Sequence, residues 1–239
     1  MIIKISSRTN EKIKHVISLR NKKVRKEEGL FVSEGKKAME MAKENNLLME
    51  VYTLKTLNLP SEIRQYIVTR DVMDKISLSI NPEGIVFVSK IPSFEIKNKN
   101  RYLFLDSLQD PGNVGTLIRT ALALGYDAVF LSENTCDPFN DKAIAASKGS
   151  LFAMPVVIDA KIEMFRGNRK IVVSTLDDDS ISLEKVEINE PFVLVLGNEA
   201  HGVSKDTLDV ADIKVKIPMS GIESLNVAQA GAILMYELK

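Results

Sequence analysis

Three stretches of the chain hold residue types that could do chemistry, and each lies where an apolar strand gives way to a loop. The first follows Leu105 and reads Asp110-Pro111-Gly112-Asn113-Val114-Gly115, with Arg119 in the helix that opens there. Arg119 falls off the stripe formed by Val114, Leu117, Ile118, Ala121 and Leu122, so its guanidinium can face a cleft or simply pair with a surface acid. The plain reading of Asn113, so near a helix start, is a cap. The second stretch is Gly197-Asn198-Glu199-Ala200-His201-Gly202, two glycines bracketing an acid directly after the strand Val193–Leu196. Gly197 would let a ligand approach the backbone, and Glu199 is either a site acid or a cap for a nearby helix. The third begins at Ile217-Pro218-Met219. Pro218 stops a sheet ladder because it has no N–H to give, and Ser220, Gly221, Ser224 and Asn226 crowd the turn that follows. The helix after that turn carries Ala228, Ala230, Gly231 and Ala232. A mid-helix glycine costs about 1 kcal/mol against alanine, which implies a close approach to the backbone. Polar turns between a strand and a helix are where α/β proteins bind ligands. Neither GxGxxG nor GxxxxGK[ST] is present, which argues against a nucleotide-dependent oxidoreductase or ligase.

The elements that must position these turns can be read from periodicity. Short β-branched runs at Tyr102–Leu105, Ala128–Leu131, Val156–Ile158, Ile171–Ser174, Val193–Leu196 and Ile213–Ile217 predict strands buried on both faces of a parallel sheet. Before them, strands at Leu30–Val32, Val51–Leu54, Tyr66–Thr69 and Ile85–Val88 alternate with helices near Glu11–Arg20, Lys36–Asn45 and Arg70–Ile76, enough for a small α/β domain. Ile91–Arg101 is polar, holds a proline and lacks a hydrophobic period, so it predicts a linker. Two domains follow, 1–96 and 97–239. No internal repeat and no low-complexity tract is visible.

Composition narrows the class. Hydrophobic residues make up 45% and charged residues 27%, as in a globular rather than a disordered chain. The one cysteine, Cys136, allows no intrachain disulfide, and the two histidines are far apart, so no metal site is expected. With no bilayer-length apolar run and no signal-peptide core, the expected location is the cytoplasm, without membrane partners. Residues 1–26 hold nine basic side chains, including Arg8, Lys12, Lys22, Lys23, Arg25 and Lys26, against the single acid Glu11. The chain's 32 basic and 32 acidic residues balance, so the remainder carries eight net negative charges. A basic segment on an acidic chain predicts a polyanion partner such as RNA; its plain alternative is a solvated helix.

Taken together, the three stretches resemble the signature motifs of the SpoU (TrmH-type) branch of the SPOUT RNA methyltransferases. Asp110–Gly115 with Arg119 matches the first motif, Gly197–Gly202 the second, and Ile217-Pro218-Met219 with Ser224-Leu225-Asn226-Val227-Ala228 the third. The resemblance covers roughly residues 100–239. Phe31-Val32-Ser33-Glu34-Gly35 looks like part of that family's substrate-binding domain. It implies a parallel-sheet C-terminal domain with a trefoil knot, S-adenosylmethionine as cofactor, methyl transfer to the ribose 2′-hydroxyl of rRNA or tRNA, and a homodimer. Thr175, Leu176, Leu196, Gly197, Ile217, Met219 and Leu225 would hold the cofactor, although Ser174-Thr175-Leu176 departs from the family's more common Ala-Thr-Asp. Arg119, Asn113, Glu199, Ser224 and Asn226 would form the reacting site. Arginine's pKa lies above about 12, which makes it a poor base, so Arg119 is expected to orient a phosphate or stabilise a developing alkoxide. A non-catalytic RNA-binding protein that keeps the fold is the alternative.

Overall fold

The computed structural model of the protein describes residues 2–79, 82–96 and 100–238. Lys97, Asn98 and Lys99, within the expected linker and at the expected domain boundary, lie outside the described residues. The chain gathers into two compact units, Met1–Ser93 with Phe139–Ala153, and Phe94–Pro138 with Met154–Lys239.

The first unit is a mixed sheet between helices. Strands β1 (Ile2–Ile5), β2 (Leu30–Glu34), β3 (Leu48–Thr53), β4 (Arg64–Val68) and β5 (Ile85–Lys90) take the order β1-β4-β3-β5-β2. One face, with Val32, Tyr52, Tyr66, Val86 and Val88, is covered by α1 (Glu11–Ser18) and by α4 (Arg70–Ile76) through Val72, Met73 and Ile76. Helix α2 (Lys22–Glu28) ends at Gly29, whose φ of 66° is a left-handed stop that glycine takes without a Cβ clash. Of the alternate residues of the sheet, Phe31 stacks on Phe152 and Phe87 meets it at a tilt, and Phe31 also meets Phe139 edge-on. Helix α3 (Lys36–Glu44) packs beside that segment, with Ala38 against Gly149.

The second unit is a seven-stranded sheet in which every pairing is parallel. In chain order its elements are β6 (Arg101–Leu105), α5 (Pro111–Ala123), β7 (Ala128–Ser132), β8 (Val156–Ala160), β9 (Lys170–Ser174), β10 (Ile181–Ser182), β11 (Phe192–Leu196), α7 (Lys205–Asp209), β12 (Ile213–Lys216) and α8 (Val227–Glu237); α6 (Asp141–Ser147) belongs to the first unit. The strand order is β10-β12-β9-β11-β6-β7-β8. All five residues of β11 are buried, as the apolar run Val193–Leu196 predicts for a strand covered on both faces. On one face Tyr102, Phe104, Phe130, Val173 and Val195 pack with Ile162 and Phe165. On the other, α5 and α8 pack against each other and against β7 and β11, respectively.

Parallel pairing has one consequence for function. The carboxyl ends of β6, β9, β11 and β12 all emerge at the same edge of the sheet, so the turns that follow them are neighbours although they span more than a hundred residues of sequence. No helix among the described residues is long and apolar enough to cross a membrane.

Candidate functional site

At that edge a cavity of about 480 Å³ opens between the turns after β9, β11 and β12. Every residue expected to hold a cofactor lines it: Thr175 and Leu176 from the first turn, Leu196 and Gly197 from the second, Ile217, Met219 and Leu225 from the third. Of the residues expected to react, Glu199 and Ser224 line it as well. The volume lies within the range of about 300–1,000 Å³ usual for small-molecule sites, and the walls combine aliphatic side chains with a few polar groups.

The second turn is held in shape by its own backbone. Asn198 N donates to Gly202 O at 2.8 Å and Gly202 N to Asn198 O at 2.9 Å, with Gly202 at φ 70°. A Cβ on Gly197 would fall 2.4 Å from both Gly202 C and Val203 N. The glycine expected to admit a ligand is therefore required first by the loop's closure on itself. Asp106, 3% exposed at the end of β6, clamps the base of this loop. Its Oδ2 accepts from Ser204 N and from Thr207 Oγ1, both at 2.8 Å, and its Oδ1 from Ser107 Oγ at 3.2 Å. In the sequence Asp106 carries a single signal, an acid placed directly after a buried strand.

At one side of the cavity three side chains form a directional relay. Asn226 is the N-cap of α8, its Oδ1 accepting from Ala228 N at 2.9 Å and Gln229 N at 3.4 Å. Since only the amide oxygen can face backbone N–H groups, Nδ2 must point away, and it donates to Asn113 Oδ1 at 3.1 Å. Asn113 is thereby oriented in turn, and its Nδ2 donates to Glu199 Oε1 at 2.9 Å. The cap of α5 is Asp110, whose Oδ1 accepts from Asn113 N at 2.8 Å, so Asn113 is not the cap its position suggested and its side chain is released for the relay.

Arg119 is not brought to this group. It lies six residues beyond Asn113 on α5, roughly 9 Å along the axis and about 120° around it. It is exposed, lines no wall of the cavity and has no hydrogen bond or ion pair among the described residues.

Gly231 explains itself by packing. A Cβ there would lie 2.5 Å from Leu117 Cδ2 and 2.6 Å from Leu196 Cδ1. The close approach expected from a mid-helix glycine is met by α8 against α5 and β11 of the same chain.

The basic segment divides. Lys22, Lys23 and Lys26 are exposed on α2. Arg8 is exposed beside Asp71 at 3.3 Å, and Lys12 reaches the buried carboxylate of Glu50 at 3.2 Å. Arg25 departs from the expectation of a phosphate contact. It is 5% exposed, and its Nη1 donates to Leu19 O at 3.0 Å and Arg20 O at 2.6 Å. Its aliphatic stem and charge together tie the α1–α2 connection, where the spacing of basic residues alone gave no hint of burial.

Comparison with known proteins agrees with this geometry. The SpoU rRNA Methylase family matches residues 100–236, and the MRM3-like substrate binding domain matches residues 10–86. The chain is 33% identical to the 23S rRNA (guanosine(2553)-2′-O)-methyltransferase RlmP of Bacillus subtilis (strain 168), covering 98% of this chain and 98% of that protein. It superposes with a TM-score of 0.89 on an AdoMet-bound rRNA methyltransferase from Sinorhizobium meliloti at 28% identity, covering 99% of this chain and 97% of the other. A crystal structure of an RNA 2′-O ribose methyltransferase gives a TM-score of 0.83 at 25% identity, covering 98% and 97%. A cavity walled at the carboxyl edge of the parallel sheet by the three motif-bearing turns, within a match that spans more than half the chain, makes this protein a member of the SpoU rRNA methylase family.

Proposed function

We propose that the protein transfers a methyl group from S-adenosylmethionine to a ribose 2′-hydroxyl of RNA, with ribosomal RNA as the substrate class. The observation that carries this reading is the cavity itself, whose walls include all seven residues expected for the cofactor and which the Asn226–Asn113–Glu199 relay flanks. Ribosomal RNA is supported by the names of the Bacillus subtilis and Sinorhizobium meliloti relatives, and it would place the enzyme in the cytoplasm.

The residues fit the cofactor chemically. Leu176, Leu196, Ile217, Met219 and Leu225 offer an apolar bed for an adenine, and Glu223 and Glu199 give the same cavity negative charge suited to a cationic sulfonium ligand. When bound, S-adenosylmethionine supplies an already electrophilic methyl, so the protein's work is mainly alignment. The relay runs one way, from the α8 N-terminus to Glu199, and holds the carboxylate at a fixed place on the wall. Ser224, on the same wall and without a hydrogen-bond partner among the described residues, would bond a ribose hydroxyl. Arg119, exposed on α5 away from the cavity wall, is assigned to an RNA phosphate rather than to the reacting hydroxyl. Lys22, Lys23 and Lys26 add sequence-independent contacts to phosphates.

A homodimer and a knotted path through the loops before α8 belong to the same reading. Ile233 and Tyr236, 40% and 54% exposed on α8, are suited to a second copy.

The deciding experiment incubates the protein with labelled S-adenosylmethionine and total RNA from a strain lacking the gene, then hydrolyses the RNA in alkali. Label in alkali-resistant dinucleotides is the expected result, because alkali cannot cut beside a 2′-O-methyl ribose. Label in mononucleotides would mean base methylation, and no label despite intact RNA and cofactor binding would favour a non-catalytic RNA-binding protein.

A further inference from the structure

A second cavity, of about 360 Å³, lies on the Asn198–Gly202 loop and is lined by Ser107, Gln109, Asn134, Asn198, His201 and Gly202 among others. Asn198, His201 and Gly202 line the larger cavity too, so one loop is the common wall of both. We propose that this second cavity receives the nucleobase of the RNA nucleotide whose ribose is methylated and reads its hydrogen-bonding edge. The proposal rests on the function argued above.

Distance and connectivity set the first constraint. A ribose that offers its 2′-oxygen to a methyl donor in the larger cavity has its base one glycosidic bond away. An open cavity across a single loop therefore lies within reach of that base.

The lining sets the second. It holds no lysine, arginine, aspartate or glutamate, so it is not built for phosphate or for a cation. It presents instead amides and an imidazole, the groups that recognise base edges in RNA. Most of the wall is already fixed. The Asn198 Nδ2 donates to Ser107 O at 2.8 Å, and its Oδ1 accepts from Ala200 N and His201 N. Gln109 Nε2 donates to Asn134 O at 2.6 Å and to Ser107 O at 3.2 Å. This commits the nitrogen and leaves Gln109 Oε1, an acceptor, without a partner among the described residues. The Asn134 amide and the His201 ring likewise have none.

Backbone strain marks the same place. Ser107 has φ 62°, a left-handed conformation uncommon for a residue with a side chain. Its N–H is held by Ser132 Oγ at 2.8 Å, and its carbonyl by the two amides just named. Strain of this kind persists where surroundings over-determine it, and it gathers at ligand sites.

Two measurements test the proposal on the full chain. In the first, the side-chain amide resonances of Gln109 and Asn134 are followed by NMR during titration with adenosine, guanosine, cytidine and uridine, with the larger cavity saturated by S-adenosylhomocysteine. Saturable shifts at both amides, stronger for one nucleoside than for the other three, are expected. The absence of any shift with all four would overturn the proposal. In the second, the Gln109→Ala/Asn134→Ala variant is compared with the parent. Both positions are exposed, so the fold should survive, as a melting curve would confirm. The expected result is a drop of about tenfold or more in kcat/KM for total RNA from the gene-deletion strain, with S-adenosylmethionine affinity within about twofold of the parent. Parental kcat/KM would sink the proposal. If the parent protein itself transfers no methyl to ribose, the function argued above fails, and the nucleoside titration still decides whether the cavity takes a base.

Discussion

At the scale of single residues, the site depends on amide orientation. Asn113 has a donor committed to Glu199 and an acceptor committed to Asn226, so Asn113→Ala breaks two bonds at once. A hydrogen bond to a charged group contributes about 1.5–3 kcal/mol, so single-turnover methyl transfer should slow by roughly 10- to 100-fold. Cofactor affinity, measured by calorimetry, should change little, because Asn113 does not line that cavity. Cys136 gives a pH prediction. Burial, aided by the nearby carboxylates of Asp110, Asp137 and Glu199, pushes its thiol from 9.0 up to about 11. The folded state thus favours the protonated thiol, and the unfolded chain ionises first. Stability from this group is complete below about pH 9 and is lost as the pH rises toward 11. Cys136→Ser should therefore flatten that part of the stability–pH curve, and alkylation of Cys136 in the native protein at pH 7 should be slow beside that of unfolded chain.

At the scale of elements, what matters is how closely backbones meet. The Gly197→Ala methyl has no flexible neighbour to displace, since the three atoms nearest it, Gly202 C, Gly202 O and Val203 N, are all main chain. The turn after β11 should open, and S-adenosylmethionine affinity should fall by at least about tenfold, the effect expected when 1.4 kcal/mol or more of binding is lost. Asp106→Ala leaves Ser204 N and Thr207 Oγ1 without their acceptor beneath the same loop. Each orphaned buried group costs about 1–3 kcal/mol, so a clear drop in urea midpoint is expected along with weaker cofactor binding. Most of this was legible in the order of residues. The helix Arg70–Ile76 and the six long strands of the parallel sheet stand where periodicity predicts them, within two residues at either end. Strand β1, helix α2 and the two-residue β10 were not anticipated. Ile2–Ile5 is too short to show a period, and the polar, basic run of α2 reads as a charged patch before it reads as a helix.

At the scale of the whole molecule, charge sorts into surface and scaffold. Lys22, Lys23 and Lys26 are exposed on α2, Lys23 at 3.9 Å from Glu27, while Arg25 donates to carbonyl oxygens. Replacing the three lysines by glutamine should lower RNA affinity most at low salt, and it should reduce the slope of log affinity against log salt by about 2 for single-stranded RNA. Arg25→Gln should act differently, lowering the melting temperature of the first unit while leaving that slope unchanged. An unaltered slope in the triple variant would remove the patch from the RNA interface.

The sequence by itself determined the class of fold, the family and which turns meet at the cavity. Short β-branched apolar runs bounded by polar turns fit strands buried on both faces of a parallel sheet, and the three motif-bearing turns hold residue types that few folds place together. Only the tertiary structure decided the connections made across distance. That Asn113 belongs to a relay rather than a cap, that Gly231 serves packing within the chain, and that Arg25 is a brace all depend on groups far away in sequence. So does the placing of residues 139–153 in the first unit, through Phe139 and Phe152 against Phe31. The physical reason is the same in each case. Local pattern fixes which face of an element is buried, but a hydrogen bond or a ring contact is fixed by its partner, and the partner is chosen by the packing.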